Sequence, residues 1–527
     1  MGIVVINIGD WIRKWSFLQP HKTAFIFEDR PFTYQQANLR INQLCHLLLA
    51  RGARKGDRIS VLLYNCHQYI EIFFALSTIG AILVPLNWRL AGPELQFLIE
   101  DSGARMLIFD TEFEEVIASI RPHLNLSPQD YFTVGNPCPG WTKDYEDTLH
   151  EYPNHEPLVL SPVGDEDPHI IMYTSGTTGV PKGAVLPHRK TFFNVLNADI
   201  FYHLSSKDVM VVTRPLFHSG GLLVNVVPVL YKGGTLILKR RFRPHEIFEA
   251  VQKYQVTIIE MAGTLLQFLL QKCDPRQYDL SSVRCYFTGG ERIPTAMLKE
   301  YYEKGITISQ VFGLTETSTI TWLPYEDAIR KMGSVGVPIF HGEVRIVDKR
   351  GREVAPGEIG EIIVKGPVVM SEYWNRPDLT AETIRDGWLH TGDLAKMDED
   401  GYIYIVDREK DMYISGGENV YPAEIEKILF THPKVFDAGI VGVPDEKWGE
   451  AGKAFIVLKP GETMAETEVL EFLKGKIAKY KIPKYVEFVM ELPKTPSGKI
   501  QKYLLKTRPF YPSSFPLRFD PNKQTSA

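Results

Sequence analysis

Residues 173–183, Tyr-Thr-Ser-Gly-Thr-Thr-Gly-Val-Pro-Lys-Gly, gather backbone freedom, hydroxyl donors and a cation in one short stretch behind the apolar run Ile170-Ile171-Met172. Gly176 and Gly179 can turn backbone N–H groups inward on an anion, Thr174, Ser175, Thr177 and Thr178 add hydroxyls, and Lys182 adds a positive charge. Such a loop suits a polyphosphate. It lacks the spacing of a P-loop: no Gly-Lys-Ser/Thr stands at the required distance, and Pro181 before the lysine disfavours a helix starting there. A flexible surface loop of the same composition is the alternative, and the concentration of donors behind a buried strand argues against it.

The elements that must hold this loop are legible as patterns. Short apolar, often β-branched runs at 58–63, 106–109, 209–213, 235–238 and 257–260 alternate with segments of helical period such as 34–49, which predicts α/β layers with parallel sheets. From Gly336 the texture changes to short strands and turns, at 343–348, 349–351, 360–365 and 398–401, the last a tight turn before a strand at 402–406. Beyond Asp407-Arg408-Glu409-Lys410-Asp411 the chain returns to mixed structure: a helix at 422–430, strands at 435–443 and 452–458, a helix at 466–476. The expected organisation is α/β, with a large N-terminal domain (1–409) of two layered α/β subdomains plus a small β unit. A smaller mobile α+β C-terminal domain (410–505) and an extended tail (506–527) follow. The charged stretch 407–411 reads as a hinge or as a solvated turn.

Composition narrows the partners. A net charge of -5 over 527 residues leaves no basic excess, which argues against nucleic acid. The five cysteines are odd in number, scattered and without a C-x-x-C pair, as in a reducing, cytoplasmic chain with neither disulfide frame nor zinc site. The apolar stretch 72–86 is too short to span a bilayer and contains Gly80 and Pro85, so it reads as a buried helix running into a strand. Peripheral membrane contact stays open. The N-terminus has no charged leader, and Ile6 stands where a myristoylation signal needs Ser or Thr, so the chain reads as untargeted. A monomer or homodimer is expected.

The chain resembles the adenylate-forming superfamily of acyl-CoA synthetases, peptide-synthetase adenylation domains and luciferases. Residues 173–183 look like its phosphate-binding signature. The likeness continues, in the family's order, through Pro215-Leu216-Phe217-His218, Thr288-Gly289-Gly290-Glu291, Phe312-Gly313-Leu314-Thr315-Glu316-Thr317, Thr391-Gly392-Asp393, 407–411, Gly416-Gly417-Glu418-Asn419 and Pro496-Ser497-Gly498-Lys499. It covers about residues 20 to 505.

The resemblance implies two half-reactions: a carboxylic acid and MgATP give acyl-AMP and pyrophosphate, then coenzyme A displaces AMP. Phe312, where the family most often has tyrosine, would stack on adenine beside Gly313. Thr315 would donate to the α-phosphate, and Glu316 is a hard oxygen ligand fit for Mg²⁺. Gly290 and Glu291 would lie near adenine, Asp393 would accept the ribose hydroxyls, and Arg408 would reinforce it. Lys499 would bridge the attacking carboxylate and the α-phosphate, where charge builds. Lys410 would be the hinge, and Gly416 and Gly417 would line the pantetheine tunnel. His218 would border the acid pocket, and Trp448 resembles a site near the nucleotide end of coenzyme A; for both residues a packing role is the alternative.

The acid is read from weaker signals. The stretches 370–377 and 288–294 look most like bacterial fatty acyl-CoA synthetases, while benzoate and hydroxycinnamate ligases share the texture. Glu372 replaces a glycine common in the family. Ser219, Gly220, Gly221, Ala262 and Gly263 fall where the resemblance places pocket walls and would leave room for a long or bulky chain, with no basic residue among these five to mark a dicarboxylate. The expectation is a medium- or long-chain fatty acid, with an aromatic or alicyclic acid as the alternative.

Overall fold

A computed structural model describes residues 6–174, 181–241, 244–291, 293–415, 418–445, 448–477, 479–495 and 498–507. The chain divides into two compact units, Met1–Lys410 and Asp411–Ala527.

The first unit is built on two mixed sheets. In one, the strands Val209–Val212, Thr235–Leu238, Ile258–Glu260, Cys285–Gly289 and Ile308–Leu314 run parallel, and Ser318–Trp322 returns antiparallel beside the last. In the other, Arg58–Leu62, Ile82–Pro85, Met106–Asp110, Tyr131–Val134 and Pro168–Thr174 are parallel, and Lys182–Pro187 folds back on Pro168–Thr174. These strands are nearly continuous Val/Ile/Leu/Phe runs because helices cover both faces of a parallel sheet. One core cluster joins residues of both sheets, among them Phe25, Ile59, Ile170 and Phe287, all buried. A separate antiparallel sheet of five strands contains Glu343–Val347, Gly360–Lys365, Trp388–Met397 and Ile403–Arg408.

Local chemistry sets the boundaries. The helix Tyr34–Ala50 begins in a capping box: the Thr33 hydroxyl accepts from the Gln36 amide at 3.1 Å, and the Gln36 side chain accepts from the Thr33 amide at 2.9 Å. The stretch expected to pass from helix to strand does so: His67–Ile79 ends at Gly80, whose φ of 74° is left-handed, and Ile82–Pro85 follows.

The second unit packs the helices Pro422–Leu429 and Glu466–Leu473 with the antiparallel pair Val435–Asp445 and Gly449–Leu458, and Tyr485–Phe488 runs parallel to the latter. Residues 407–411 are not simply a solvated turn. Asp407 and Arg408 belong to the strand Ile403–Arg408, Asp407 is buried, and only Glu409 and Lys410 are exposed before the unit boundary. The strand expected at 402–406 runs on through the charged pair Asp407-Arg408, because these residues pair with Leu394 and Asp393 of Trp388–Met397, a pairing that local propensity does not encode. Residues 508–527 of the tail lie outside the described residues.

Candidate active site

The hairpin of Pro168–Thr174 and Lys182–Pro187 pairs Thr174 with Lys182 and Tyr173 with Gly183, so the chain leaves and re-enters the sheet at one end. Ser175, Gly176, Thr177, Thr178 and Gly179 lie outside the described residues. The stem is held from outside. The Tyr173 hydroxyl donates to Asp101 at 2.7 Å, Arg376 pairs with the same carboxylate at 2.8 Å, and the Trp374 indole donates to the Asp101 carbonyl at 3.0 Å.

Lys182 does not stand alone at the loop's base. Its ammonium donates to the Tyr373 hydroxyl at 2.5 Å, that hydroxyl donates to Glu316 at 2.7 Å, and ammonium and carboxylate are 3.7 Å apart. Three segments distant in sequence converge because Glu372–Tyr373 adds a short strand against Lys182–Pro187, and the Met370 amide donates to the Glu316 carbonyl at 2.8 Å. Burial lowers the Lys182 ammonium, an effect Glu316 opposes. Burial, then the negative charge of Glu316, raises the Tyr373 phenol and keeps it protonated. Glu372 is exposed beside this strand, so its replacement of a small residue leaves the cluster intact.

Glu316 sits in the turn between Ile308–Leu314 and Ser318–Trp322, which Thr317 closes by accepting from the Leu314 amide at 3.2 Å. The ladder has a bulge between Phe312 and Gly313. A Cβ at Gly313 would stand 1.8 Å from the Ser318 carbonyl oxygen, so this glycine is demanded by the bulge. Phe312 and Thr315 are half-buried along the same turn. Gly289 pairs with Val311 on the neighbouring strand, Gly290 turns at φ 77°, and Glu291 folds back to accept from the Gly263 amide at 2.7 Å. The segments bearing Phe312 and Gly290 are thus adjacent.

Asp393 and Arg408 face each other across a strand pair, Nε to carboxylate at 2.7 Å, with Asp393 buried. His218 stacks obliquely on Phe217, ring centroids 4.3 Å apart. In the second unit, Lys499 is exposed on a tight turn in which the Thr495 amide donates to the Lys499 carbonyl at 2.7 Å and Gly498 has φ 90°. Trp448 is exposed, its amide donating to Asp445 at 3.1 Å. Lys410 is exposed at the end of the first unit, and Gly416 and Gly417 lie outside the described residues.

The glycines expected to make room for a chain do something else. A Cβ at Gly221 would stand 2.2 Å from the Pro215 carbonyl, at Gly220 3.2 Å from Arg214, and at Gly263 2.7 Å from Ile293 and 3.0 Å from Glu291. They admit neighbouring protein atoms, and the space by Gly220 holds the charged side chain of Arg214, whose position one residue before the Pro215 block concealed it. Gly220–Val226 winds as a π-helix, a form that recurs at functional sites. Other residues that sequence reasoning missed are Tyr373, Asn65, Glu260 and Lys190. Asn65 donates to the Arg214 carbonyl at 2.8 Å and accepts from the Leu216 amide at 2.9 Å, fixing the entry to this wall. Glu260 carried a usable signal, a carboxylate closing an apolar run. Lys190 is wholly buried and donates to the Ser318 hydroxyl.

The model of the AMP-binding enzyme family matches residues 12–374, and that of its C-terminal domain matches 424–499. The chain belongs to the AMP-binding enzyme family. This AMP-binding enzyme is 40% identical over 503 residues to a feruloyl-CoA synthase of Amycolatopsis, covering 95% of this chain and 99% of that one. It is 37% identical to an indoleacetate–CoA ligase of Aromatoleum aromaticum, over 94% and 97% of the two chains. The solved o-succinylbenzoate CoA synthetase of Bacillus subtilis, in complex with its acyl-adenylate intermediate, is 33% identical with a TM-score of 0.84, over 94% and 98%. A solved Mycobacterium tuberculosis fatty acyl CoA synthetase is 34% identical with a TM-score of 0.74, over 95% and 97%. The protein is an AMP-forming acid–thiol ligase of a family whose substrates are ATP and coenzyme A. None of the helices described is long and apolar enough to cross a membrane.

Proposed function

We propose that this enzyme joins an aromatic carboxylic acid to coenzyme A through an aryl or arylalkenyl adenylate. The observation that carries this is that the acids in the names of the relatives at 36–40% identity are aromatic: ferulate, indoleacetate and succinylbenzoate. This favours the alternative over the expected medium- or long-chain fatty acid. The wall agrees, because its glycines are filled by Pro215, Arg214, Glu291 and Ile293.

The loop 173–183 and Lys182 would hold the β- and γ-phosphates that leave as pyrophosphate. Phe312, Gly313, Gly290 and Glu291 would border adenine, and Asp393 with Arg408 the ribose. Thr315 would donate to the α-phosphate, and His218 would orient the acid. Glu316, a buried carboxylate beside a cation, fits a Mg²⁺ held mainly by phosphate oxygens, which would spread the charge of the triphosphate. Tyr373 and Lys182 position that carboxylate. Lys499 would steer the acid carboxylate toward the α-phosphate, Lys410 would be the pivot, supported by its place as the last residue of the first unit, and Trp448 would flank coenzyme A.

Pyrophosphate release measured across cinnamates, arylacetates, benzoates and C8–C18 fatty acids, with and without coenzyme A, tests the reading. An aryl acid should exceed every fatty acid in kcat/KM by at least tenfold, and AMP formation should require coenzyme A for turnover beyond one equivalent. A fatty acid as best substrate would reject it.

A further inference from the structure

Behind the filled glycines lies a polar cluster that none of the family blocks contains. The Arg214 guanidinium donates through Nε to Glu260 and through a terminal nitrogen to the Gly289 carbonyl. The Asn225 side chain, on the π-helix, donates to the other Glu260 oxygen at 3.1 Å. Glu260 and Asn225 are almost wholly buried, with Arg214 at 14% side-chain exposure. Two polar groups are left over among the described residues. The Asn225 carbonyl oxygen, inaccessible to solvent, has no hydrogen-bond partner. The other terminal nitrogen of Arg214, which bonds to none of them, stands 3.2 Å from where a Cβ at Gly290 would sit. Gly220 on one side and Gly290 on the other leave the guanidinium between the π-helix and the turn after Cys285–Gly289. A charged network of this kind is costly to bury and stabilises less than apolar packing of equal volume, so its presence in the wall calls for a use.

Charge narrows the use. Arg214 is neutralised by Glu260, and the Glu291 carboxylate adds negative charge close by. The direct ion pair with Glu260 and the nearby Glu291 carboxylate leave, among the described residues, no surplus cation at this cluster for a second carboxylate. What the cluster offers is one donor and one acceptor with no net positive charge.

We propose that Arg214, Glu260 and Asn225 form a specificity subsite that reads a neutral hydrogen-bonding substituent, such as a hydroxyl, methoxyl or ring N–H, on the aromatic acid, and disfavours a second carboxylate. The proposal rests on the aryl-acid reading above. A wall that satisfies its own polar groups through the substrate rejects an analogue lacking the substituent, because the buried groups then lose their partner.

Wild-type kcat/KM is to be measured for cinnamate, 4-hydroxycinnamate, 4-hydroxy-3-methoxycinnamate and 4-carboxycinnamate, beside dodecanoate. The best neutral polar acid should exceed cinnamate and the dicarboxylate by at least tenfold each. In Arg214→Met/Glu260→Met, which removes both charges together, the spread should collapse to within about threefold, while Arg214→Lys, which keeps the charge and loses the fork, should give an intermediate spread. A flat wild-type profile across ring substituents, or a spread that survives in the double variant, overturns the subsite and leaves the aryl reading standing. Dodecanoate outrunning every cinnamate overturns the aryl reading itself. If the double variant does not fold, the wild-type profile decides.

Discussion

Two partly buried cation–carboxylate pairs, Lys182–Glu316 and Arg214–Glu260, are built differently. Lys182 and Glu316 stand 3.7 Å apart with the Tyr373 hydroxyl between them, so neither is fully committed to the other. Arg214 and Glu260 are in direct hydrogen-bonded contact, and Asn225 and the Gly289 carbonyl take up most of their other capacity. A loose pair can trade partners when phosphates and a metal arrive, since breaking it leaves both members with new ones. A tight pair is already satisfied and presents only its leftover donor and acceptor, which suits selection of a neutral group. On the proposed function, chemistry falls to the loose pair and choice of acid to the tight one.

The largest expected effect is at the loose pair. Glu316→Ala should lower kcat/KM for pyrophosphate release by about 10²–10³, as loss of one positioned electrostatic group does, equally for all acids. An effect that varied strongly with the acid would erase the distinction between the two clusters. At the tight pair the leading effect should be on stability. Arg214→Met leaves Glu260 buried and unpaired and should cost about 3–5 kcal/mol in urea unfolding, with most of it recovered in the double variant with Glu260→Met. Equal losses in the single and double variants would mean that the guanidinium acts through its bond to the Gly289 carbonyl and not through Glu260.

The smallest effect concerns Lys190, behind the loose pair. Burial holds its ammonium down to about 7, Glu316 opposing and Arg189 adding to the shift. Its folded pKa lies below the unfolded value, so the folded state binds fewer protons in between. The penalty is full below pH about 7 and is relieved as pH rises toward the unfolded value. Lys190→Met should therefore raise Tm by roughly 2–4 °C at pH 6 and by less at pH 9. A loss of Tm in this variant would show that Lys190 is a net stabiliser through Ser318 and Glu316, and a gain that grew with pH would contradict the lowered ammonium.

Much of the fold was legible because its strands are short apolar runs separated by helices of clear period, and the strand Thr235–Leu238 has the bounds the pattern predicts. Ends shifted by a residue or a few where neighbouring strands extend the ladder, as at Val435–Asp445. The chemical residues were legible because phosphate chemistry needs contiguous glycines, hydroxyls and a lysine. Tyr373 was not, because its role depends on a two-residue strand joining Lys182–Pro187, and local propensity does not encode that pairing. The pocket glycines misled for a related reason: a missing Cβ creates space, but only the fold decides what enters it.

By itself the sequence determined the adenylating chemistry and the layered α/β frame, since both follow from local patterns that few alternatives satisfy. The tertiary structure decided what surrounds that chemistry: the hydroxyl between Lys182 and Glu316, and the charged pair beside glycines expected to leave room for a long or bulky chain. Those features depend on side chains 35 to about 190 residues apart meeting at sheet ends, and only closure of the sheets brings them together.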